Sequence, residues 1–257
     1  MKHVGLITGA SSGIGRALAH EHARRGRDLI VVARREQELN ELAATLRQQY
    51  GTEVRVIAKD LTQPAARREL FEEVGREGLT VDYLFNNAGF GGAGQFVGQD
   101  WEMLSGMIAL NMTAVTELLR LFLPGMVARG RGRVLNTSST AGFMPGPGQA
   151  VYFATKAYVN SLSKAVASEL QGSGVTVTAL CPGAVKTEFA DTAGMPEDSK
   201  LFENAATPQA TAAQGYTAME AGRLEVITEL GLAVTIKGLL PFMPERLAMG
   251  VVKKLQS

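Results

Sequence analysis

The sequence predicts an α/β fold: a doubly wound, parallel sheet of about seven strands with helices on both faces. Two observations predict it. Short segments rich in Val, Ile and Leu recur along the chain, and longer segments with helical periodicity separate them. That alternation is typical of parallel strands joined by crossover helices. The strand candidates are residues 4–7, 29–32, 54–58, 83–85, 134–136 and 175–180, with 224–227 as a seventh.

Glycines mark the ends of the predicted helices. Helices are expected over residues 14–25, 36–50 and 149–170, and Gly26, Gly51 and Gly172 follow them closely. Glycine ends helices because it adopts the left-handed backbone conformation without strain. The three stops therefore support the helix bounds. The length of 257 residues suits one domain over 1–257.

Composition excludes several classes of function. A formal net charge of +1 leaves no basic surface of the kind that binds nucleic acid. The single cysteine, Cys181, excludes an internal disulfide, and we expect it to pack rather than react. His3, His20 and His22 all fall within the first 22 residues, far in sequence from Ser139 and Tyr152, so no metal site is expected. No membrane span or signal peptide is expected either, and a cytoplasmic location fits.

A glycine-rich segment, TGASSGIG at residues 8–15, lies between the first strand and the first helix. This is the order that a Rossmann-type dinucleotide site requires, with the pyrophosphate at the helix N-terminus. The glycine spacing differs from the G-x-G-x-x-G fingerprint. The candidate cofactor contacts are Gly9, Ser11, Ser12, Gly13, Ile14 and Gly15.

Tyr152 and Lys156 lie four residues apart on a predicted helix, which places phenol and ammonium on one face. A nearby cation favours the phenolate, so we expect Lys156 to lower the pKa of Tyr152. Such pairs also occur on solvated helices. Ser139, at the end of the fifth strand, lies thirteen residues before Tyr152.

Six motifs in order resemble the short-chain dehydrogenase/reductase family. They are Thr-Gly-x-x-x-Gly-x-Gly at 8–15, Asn86-Asn87-Ala88-Gly89, Asn111, Ser139, Tyr152-x-x-x-Lys156 and Pro182-Gly183. The resemblance covers roughly residues 1–190 and implies a cofactor and catalytic core there. A substrate lid over 188–222 and a tail over 229–257 would follow. The fold and activity implied are those of a nicotinamide-dependent oxidoreductase.

The resemblance implies a catalytic set of Asn111, Ser139, Tyr152 and Lys156. Tyr152 would protonate the developing alkoxide as general acid, and Ser139 would hold the carbonyl oxygen, with Ser138 as a neighbouring alternative. Lys156 would bind the nicotinamide ribose. Asn111 would interrupt a helix and support a water leading to Lys156, or equally cap a helix that starts near Met112.

Arg34 and Arg35 follow the second strand, and Ala33 occupies the site where an NAD enzyme usually carries a carboxylate. Guanidinium groups without that acid favour a 2′-phosphate, so we predict NADP(H), with Ser11 or Ser12 as a hydroxyl partner. The alternative is that both arginines form the solvated first turn of the next helix.

The resemblance extends the cofactor contacts to three other strand ends. Asp60 and Leu61 would contact the adenine. Asn87, Ala88 and Gly89 form the strand-four turn, where Asn86 and Asn87 equally suit a structural role. The turn after strand six would contribute Pro182, Gly183, Val185 and Thr187.

Substrate choice is expected in the loops at 90–101, 141–148 and 188–214. Their large apolar residues either line a hydrophobic pocket or pack a lid onto the core. They are Phe90, Phe96, Phe143, Met144, Phe189 and Met195. A small-molecule carbonyl or alcohol substrate, hydrophobic in character, fits the first reading.

The tail at 229–257 carries two apolar blocks, 230–236 and 238–244, separated by Lys237. It resembles the extended tail of a bacterial subgroup of the family, and it either covers the pocket, packs on another subunit or lies on a membrane surface. A homodimer or homotetramer is expected. The leading function is an NADP(H)-dependent oxidoreductase acting on CH–OH and C=O groups; the alternative is a noncatalytic NADP(H)-binding sensor or scaffold.

Overall fold

Seven parallel strands form one sheet in the computed structural model, which describes residues 2–195 and 205–256. The strand order, β3-β2-β1-β4-β5-β6-β7, reverses between β1 and β4 and confirms the doubly wound prediction. All seven predicted strands are present. They are β1 (Lys2–Thr8), β2 (Leu29–Ala33), β3 (Val54–Ala58), β4 (Leu79–Asn86), β5 (Gly132–Thr137), β6 (Val175–Cys181) and β7 (Glu225–Ile227).

The three predicted helices are also present, with bounds that differ by at most two residues from those expected. Gly51 ends α2 in the left-handed conformation, with φ 67°. The α-helices are α1 (Gly13–Ala23), α2 (Glu36–Tyr50), α3 (Pro64–Arg76), α4 (Trp101–Ile108), α5 (Val115–Ala128), α6 (Ala150–Glu169), α7 (Phe189–Thr192), α8 (Pro208–Glu220), α9 (Leu230–Val234) and α10 (Glu245–Gln256).

Both faces of the sheet are buried, which explains why the strands are continuously apolar rather than alternating. Leu6 of β1 packs in one hydrophobic cluster with Leu118 of α5. Its neighbour Ile7 packs in the other cluster with Leu18 of α1 and Tyr216 of α8. Successive strand residues point to opposite faces, so each strand anchors two helical layers and its carboxyl end is held rigidly.

Helices α4 and α5 are joined without a break by a π-helical segment, Ala109–Ala114, which contains Asn111. The expectation that Asn111 caps a new helix is therefore wrong, since the helical backbone continues on both sides of it. The continuous helix Trp101–Ala128 is long and apolar enough to cross a membrane by length and composition. Its residues Leu118 and Phe122 pack in the protein core, which accounts for that composition. The absence of a membrane span stays a prediction.

Candidate active site

A cavity of about 590 Å³ opens at the carboxyl ends of the strands, where the motifs were expected. It is lined at one end by the glycine loop and at the other by apolar side chains. Of the predicted site residues, Gly15 and Asn111 do not line it. Those on its wall are Gly9, Ser11, Ser12, Gly13, Ile14, Arg34, Arg35, Asp60, Leu61, Asn87, Ala88, Gly89, Ser139, Tyr152, Lys156, Pro182, Gly183, Val185 and Thr187.

The glycine loop forms a cradle with no room for side chains. A Cβ atom on Gly15 would lie 2.2 Å from the carbonyl oxygen of Gly9, and one on Gly13, whose φ is +51°, would lie 3.0 Å from Thr187 Cγ2. The side chain of Ser12, at the N-cap of α1, makes no capping hydrogen bond, and the first turn of α1 carries no acidic residue. The first N–H groups of the helix thus remain available to an anion, so this loop fits a pyrophosphate.

Tyr152 and Lys156 both lie on α6 and face the cavity, with 8% and 6% of their surface exposed. The Lys156 Nζ atom donates a 2.9 Å hydrogen bond to the carbonyl of Thr137 and lies 5.7 Å from the centre of the Tyr152 ring. The ring of Phe189 packs against Tyr152 with 5.2 Å between centroids. The phenol is thereby enclosed between α6 and α7.

The two serines after β5 have different partners. Ser138 donates its hydroxyl to the main-chain carbonyl of Lys156 at 2.9 Å and so secures α6 against β5. Ser139 accepts a hydrogen bond from Ala141 N at 3.1 Å and donates to Pro182 O at 3.3 Å. The 3.3 Å bond of Ser139 is longer and weaker than the 2.9 Å bond of Ser138. The Ser139 hydroxyl is therefore the better placed of the two to form a hydrogen bond with a ligand in the cavity.

The expectation that the pKa of Tyr152 would be lowered is wrong for the protein chain by itself. Burial raises the pKa of Tyr152 to about 12, and the neighbouring Ser139 hydroxyl offsets only part of that effect. Lys156 turns its ammonium toward the Thr137 carbonyl, and burial lowers the pKa of Lys156 to about 8. Desolvation outweighs the pairwise attraction because both groups are enclosed. At neutral pH the phenol is therefore protonated and the lysine charged.

Asn111 acts through the backbone of the loop after β4. Its Nδ2 donates to Phe90 O at 2.9 Å and to Thr155 Oγ1 at 3.1 Å, while its Oδ1 accepts from Phe90 N at 3.1 Å. These bonds clamp the Phe90 loop between the π-helical segment and α6. The expected water leading from Asn111 to Lys156 stays a prediction.

The two arginines after β2 differ in their contacts. Arg35 donates to Ser11 Oγ at 3.3 Å and pairs with Glu188 at 2.9 Å. Arg34 is exposed and makes no ion pair or side-chain hydrogen bond with any described residue. Both precede α2, whose first turn carries Glu36 and Glu38, so neither lies in that turn as the alternative supposed. Of the two arginines, Arg35 is the one that contacts Ser11.

The asparagines after β4 are held by the scaffold. Asn87 Nδ2 donates to Thr8 O at 3.1 Å, and Asn87 Oδ1 accepts from Thr137 Oγ1 at 3.2 Å. Asn86 donates to Asn136 at 2.9 Å and is buried away from the cavity. Asn87 thus ties β1, β4 and β5 together while presenting part of its surface to the cavity.

The far end of the cavity is hydrophobic. Phe90, Met144, Phe189 and Met195 line it, as the hydrophobic-pocket alternative predicts, whereas Phe96 is 60% exposed on the surface. Phe143 also lies off the wall, with Lys164 Nζ 5.4 Å from its ring centre. Residues 196–204 of the predicted lid lie outside the described residues.

The tail covers this end of the cavity. Glu229 accepts a hydrogen bond from Gly183 N at 3.1 Å, which fixes the start of the tail beside the turn after β6. Val252 of α10 packs in one cluster with Tyr152 and Phe153. The described part of the tail thus lines the cavity, as the first of the three alternatives predicts, while packing on another subunit or on a membrane surface stays a prediction. Its wall residues are Leu232, Thr235, Ile236, Leu240, Met243, Ala248 and Val252.

Several wall residues were not foreseen from the sequence. Gln149 lies three residues before Tyr152, so helical spacing alone would have placed it on the same face. Lys59 lies directly before Asp60, and Glu188 directly after Thr187, next to predicted contacts. The tail residues carry no local signal, because their position depends on how 229–252 crosses the molecule.

No cluster of three or more His, Cys, Asp or Glu side chains suited to a metal occurs among the described residues. Cys181 is buried, its thiol donates to Asn160 Oδ1 at 3.2 Å, and burial raises its pKa to about 12. A thiol with that pKa is not a nucleophile at neutral pH, so the expected packing role is confirmed.

Comparison with known proteins identifies a family and several similar proteins. The model of the short chain dehydrogenase family matches residues 3–198. A 7beta-hydroxysteroid dehydrogenase from Collinsella aerofaciens is 32% identical over 207 residues, which are 80% of this chain and 78% of that protein.

Two solved structures resemble the whole chain. A short-chain dehydrogenase from Sphingobium yanoikuyae in complex with NADPH is 35% identical, with a TM-score of 0.85 over 98% of this chain and 96% of that one. A short chain dehydrogenase/reductase from Burkholderia phymatum in complex with NAD is 27% identical, with a TM-score of 0.83 over 92% of each chain.

Proposed function

The chain belongs to the short-chain dehydrogenase family, and we propose that it is an NADP(H)-dependent oxidoreductase that interconverts a carbonyl compound and its alcohol. The observation that supports this best is that Ser139, Tyr152 and Lys156 line the same cavity as the glycine loop. An acid, a hydrogen-bonding hydroxyl and a dinucleotide cradle within one cavity are what carbonyl reduction requires.

When bound, a nicotinamide cofactor supplies the hydride for reduction. The residues of this chain position the reactants and move the proton. Ser139 donates its hydroxyl to the substrate carbonyl oxygen and stabilises the negative charge that develops there. Tyr152 then donates its phenolic proton to that oxygen. The phenol is protonated at neutral pH, so the proton it donates in this direction is already in place.

Lys156 is held by Thr137 and lies between Tyr152 and Gly89, where its ammonium suits ribose hydroxyls. A charged lysine beside the phenol stabilises the phenolate that remains after proton transfer. The tail and α7 line the apolar end of the cavity, so an apolar substrate bound there would exclude water and strengthen these interactions. Asn111 supports the site indirectly by fixing the Phe90 loop.

The preference for NADP(H) is supported by Ala33 and Arg34. Ala33 leaves no carboxylate to repel a 2′-phosphate, and the unpartnered Arg34 guanidinium at the cavity wall suits that group. Asp60 and Leu61 are proposed to contact the adenine. Among the similar structures one holds NADPH and another NAD, so the choice of cofactor rests on these residues.

The apolar far end supports a hydrophobic substrate of considerable size, because Met144, Phe153, Phe189 and the described wall residues of the tail are uncharged. The similar 7beta-hydroxysteroid dehydrogenase has a name that implies a bulky alcohol. We further propose a homodimer or homotetramer located in the cytoplasm.

The test is a panel of ketones and aldehydes of increasing size, each incubated with NADPH or NADH and followed at the nicotinamide absorbance. We expect carbonyl-dependent oxidation of NADPH, fastest with large apolar ketones. Tight NADPH binding without oxidation by any carbonyl compound would instead support a noncatalytic sensor or scaffold.

A further inference from the structure

Gln149 differs from the other side chains around the apolar end of the cavity. Only 4% of the residue is exposed, yet its amide makes no hydrogen bond with any described residue. Its amide atoms are not sealed inside the protein, and the residue lines the cavity. The Gln149 amide therefore meets the cavity with no hydrogen bond to the described protein, which leaves its donors and its acceptor free for a ligand there.

The neighbouring polar wall residues are satisfied or more exposed. Thr192 donates to Glu188 O at 2.8 Å, and Thr235 donates to Gly231 O at 3.0 Å. Thr140 is half-buried and lies beside Ser139. Gln149 is thus the buried amide that remains free to pair within the part of the wall the structure describes.

The backbone holds Gln149 in a defined place. Its N–H donates to Gly146 O at 3.0 Å, and its carbonyl accepts from Phe153 N at 3.0 Å. A Cβ atom on Gly146 would lie 2.2 Å from the Phe153 ring, so the 146–149 turn sits directly on α6. The amide is anchored at the start of that helix rather than on a loose loop.

The position of Gln149 relative to Tyr152 sets a distance. Gln149 is the N-cap of α6, with φ −142° and ψ 39°, and Tyr152 lies in the first turn of that helix. Their backbones are therefore about one turn, or roughly 5 Å, apart along the axis, and both residues line the cavity. A substrate whose carbonyl oxygen meets Tyr152 would therefore bring a group about one ring width away to the Gln149 amide.

We propose that Gln149 determines substrate specificity by hydrogen-bonding a second, uncharged polar group on an otherwise apolar carbonyl compound. This rests on the proposed function and names the substrate class for the same site. An amide both donates and accepts, so a hydroxyl or a second carbonyl would serve. A carboxylate or phosphate would not, because the charged wall residues other than Lys156 lie toward Arg34, leaving such a group buried without a counter-ion.

The test uses matched ketones and matched variants. The probes are a decalone, the same decalone with a hydroxyl group on the far ring, and the corresponding far-ring carboxylate. kcat/KM with NADPH is measured for wild type, Gln149→Met and, as a control in the same wall, Met144→Leu. A second readout is the rise in melting temperature caused by each product alcohol in the presence of NADPH, a pairing that cannot turn over.

We expect wild type to prefer the hydroxylated ketone over the plain one by about tenfold and to reject the carboxylate. Gln149→Met should bring the preference close to one, whereas Met144→Leu should keep it. The melting-temperature difference between diol and simple alcohol should vanish in Gln149→Met alone. Because methionine replaces an amide that makes no hydrogen bond with the described protein, Gln149→Met should fold as stably as wild type. Gln149→Leu is measured in its place if Gln149→Met does not fold.

The inference would be overturned if wild type and Gln149→Met preferred the hydroxylated ketone over the plain one equally, or if Met144→Leu lost that preference as fully as Gln149→Met. Neither result would count against the proposed oxidoreductase activity. Failure of both Gln149 variants to fold would also overturn the inference, since the amide would then be structural. A lack of Tyr152-dependent oxidation of NADPH with every ketone of the larger panel would instead remove the proposed function, and this inference with it.

Discussion

The ammonium nitrogen of Lys156 lies 5.7 Å from the centre of the Tyr152 ring, and its hydrogen bond goes to Thr137 O rather than to the phenol. The two groups therefore share one buried part of the cavity wall without a direct hydrogen bond between them. Burial acts in opposite directions on the two groups, raising the pKa of Tyr152 and lowering that of Lys156. The protonated phenol and the charged ammonium coexist below about pH 8.

Carbonyl reduction should therefore lose rate as pH rises through about 8, where Lys156 gives up its proton. The phenol remains protonated across this range because its pKa is raised to about 12, so the loss reports on the lysine. The measurement is kcat/KM for a ketone with NADPH between about pH 6 and about pH 10. Lys156→Arg, which stays charged, should remove the decline at whatever rate it retains. A flat profile in wild type would contradict a role for the lysine charge.

Substitutions of the two serines after β5 should have different effects, one on the reaction rate and the other on stability. Ser139→Ala removes the hydroxyl that meets the carbonyl oxygen, so kcat should fall by about tenfold to a hundredfold with little change in melting temperature. Ser138→Ala removes the hydrogen bond that ties β5 to α6 and should cost about 1 kcal/mol of unfolding free energy. Steady-state kinetics and thermal unfolding of both variants check this. A larger kinetic loss in Ser138→Ala would reverse the assignment.

Arg34 should govern the choice of cofactor. Arg34→Ala removes a charged partner worth about 1.5 to 3 kcal/mol, so the preference for NADPH over NADH should fall by about tenfold to a hundredfold. Arg35→Ala should have a smaller effect, because Glu188 and Glu38 already neutralise Arg35. Adding Ala33→Asp to Arg34→Ala should shift the preference toward NADH, since a carboxylate repels phosphate.

Titration of both cofactors at fixed ionic strength measures these preferences. Glu188→Gln serves as the matched control, because it frees Arg35 and should tighten NADPH binding without affecting NADH. Equal affinity of wild type for NADPH and NADH would make the NADP(H) assignment wrong, as would equal weakening of both by Arg34→Ala.

His22 should make the fold sensitive to mild acid. It is fully buried, its Nδ1 bonds the Tyr216 hydroxyl at 2.9 Å, and burial lowers the pKa of His22 to about 3. As pH falls below about 6.5 the unfolded chain takes up a proton that the folded chain refuses, so stability is lost between pH 6.5 and 3. By pH 5 the loss should be about 2 kcal/mol.

Denaturant unfolding at neutral and mildly acidic pH measures that loss. His22→Asn keeps a polar atom near Tyr216 but does not titrate, and it should flatten the profile above pH 5. His20→Gln is the control, since His20 is only partly buried and its lowered pKa should contribute less. An unchanged profile in His22→Asn would assign the acid sensitivity to other groups.

The strand–helix rhythm and the site at the strand ends could be predicted because they depend on local sequence. Parallel strands end at the same edge, so the residues after β1, β2, β5 and β6 must meet. The pKa of Tyr152 could not be predicted, since its direction depends on enclosure by Phe189 and Val252, which come from distant segments. Spacing likewise could not show that Ser11 contacts Arg35 rather than Arg34, or that the tail crosses the cavity.

Asn111 illustrates the same limit within one helix. Its sequence context suited both a helix cap and an interruption, and no local pattern distinguishes a π-helical segment from a helix start. The distinction comes from Phe90 and Thr155, which take the amide into tertiary hydrogen bonds that a cap would not make.

Replacement of Tyr152 by Phe tests the proposed reaction most directly. The variant keeps the ring that packs against Phe189 and loses only the hydroxyl that donates the proton. Ketone-dependent oxidation of NADPH, measured beside the dissociation constant for NADPH, should fall by about a thousandfold while the dissociation constant changes by no more than about twofold. Turnover close to wild type in Tyr152→Phe would contradict the role of Tyr152 as the proton donor.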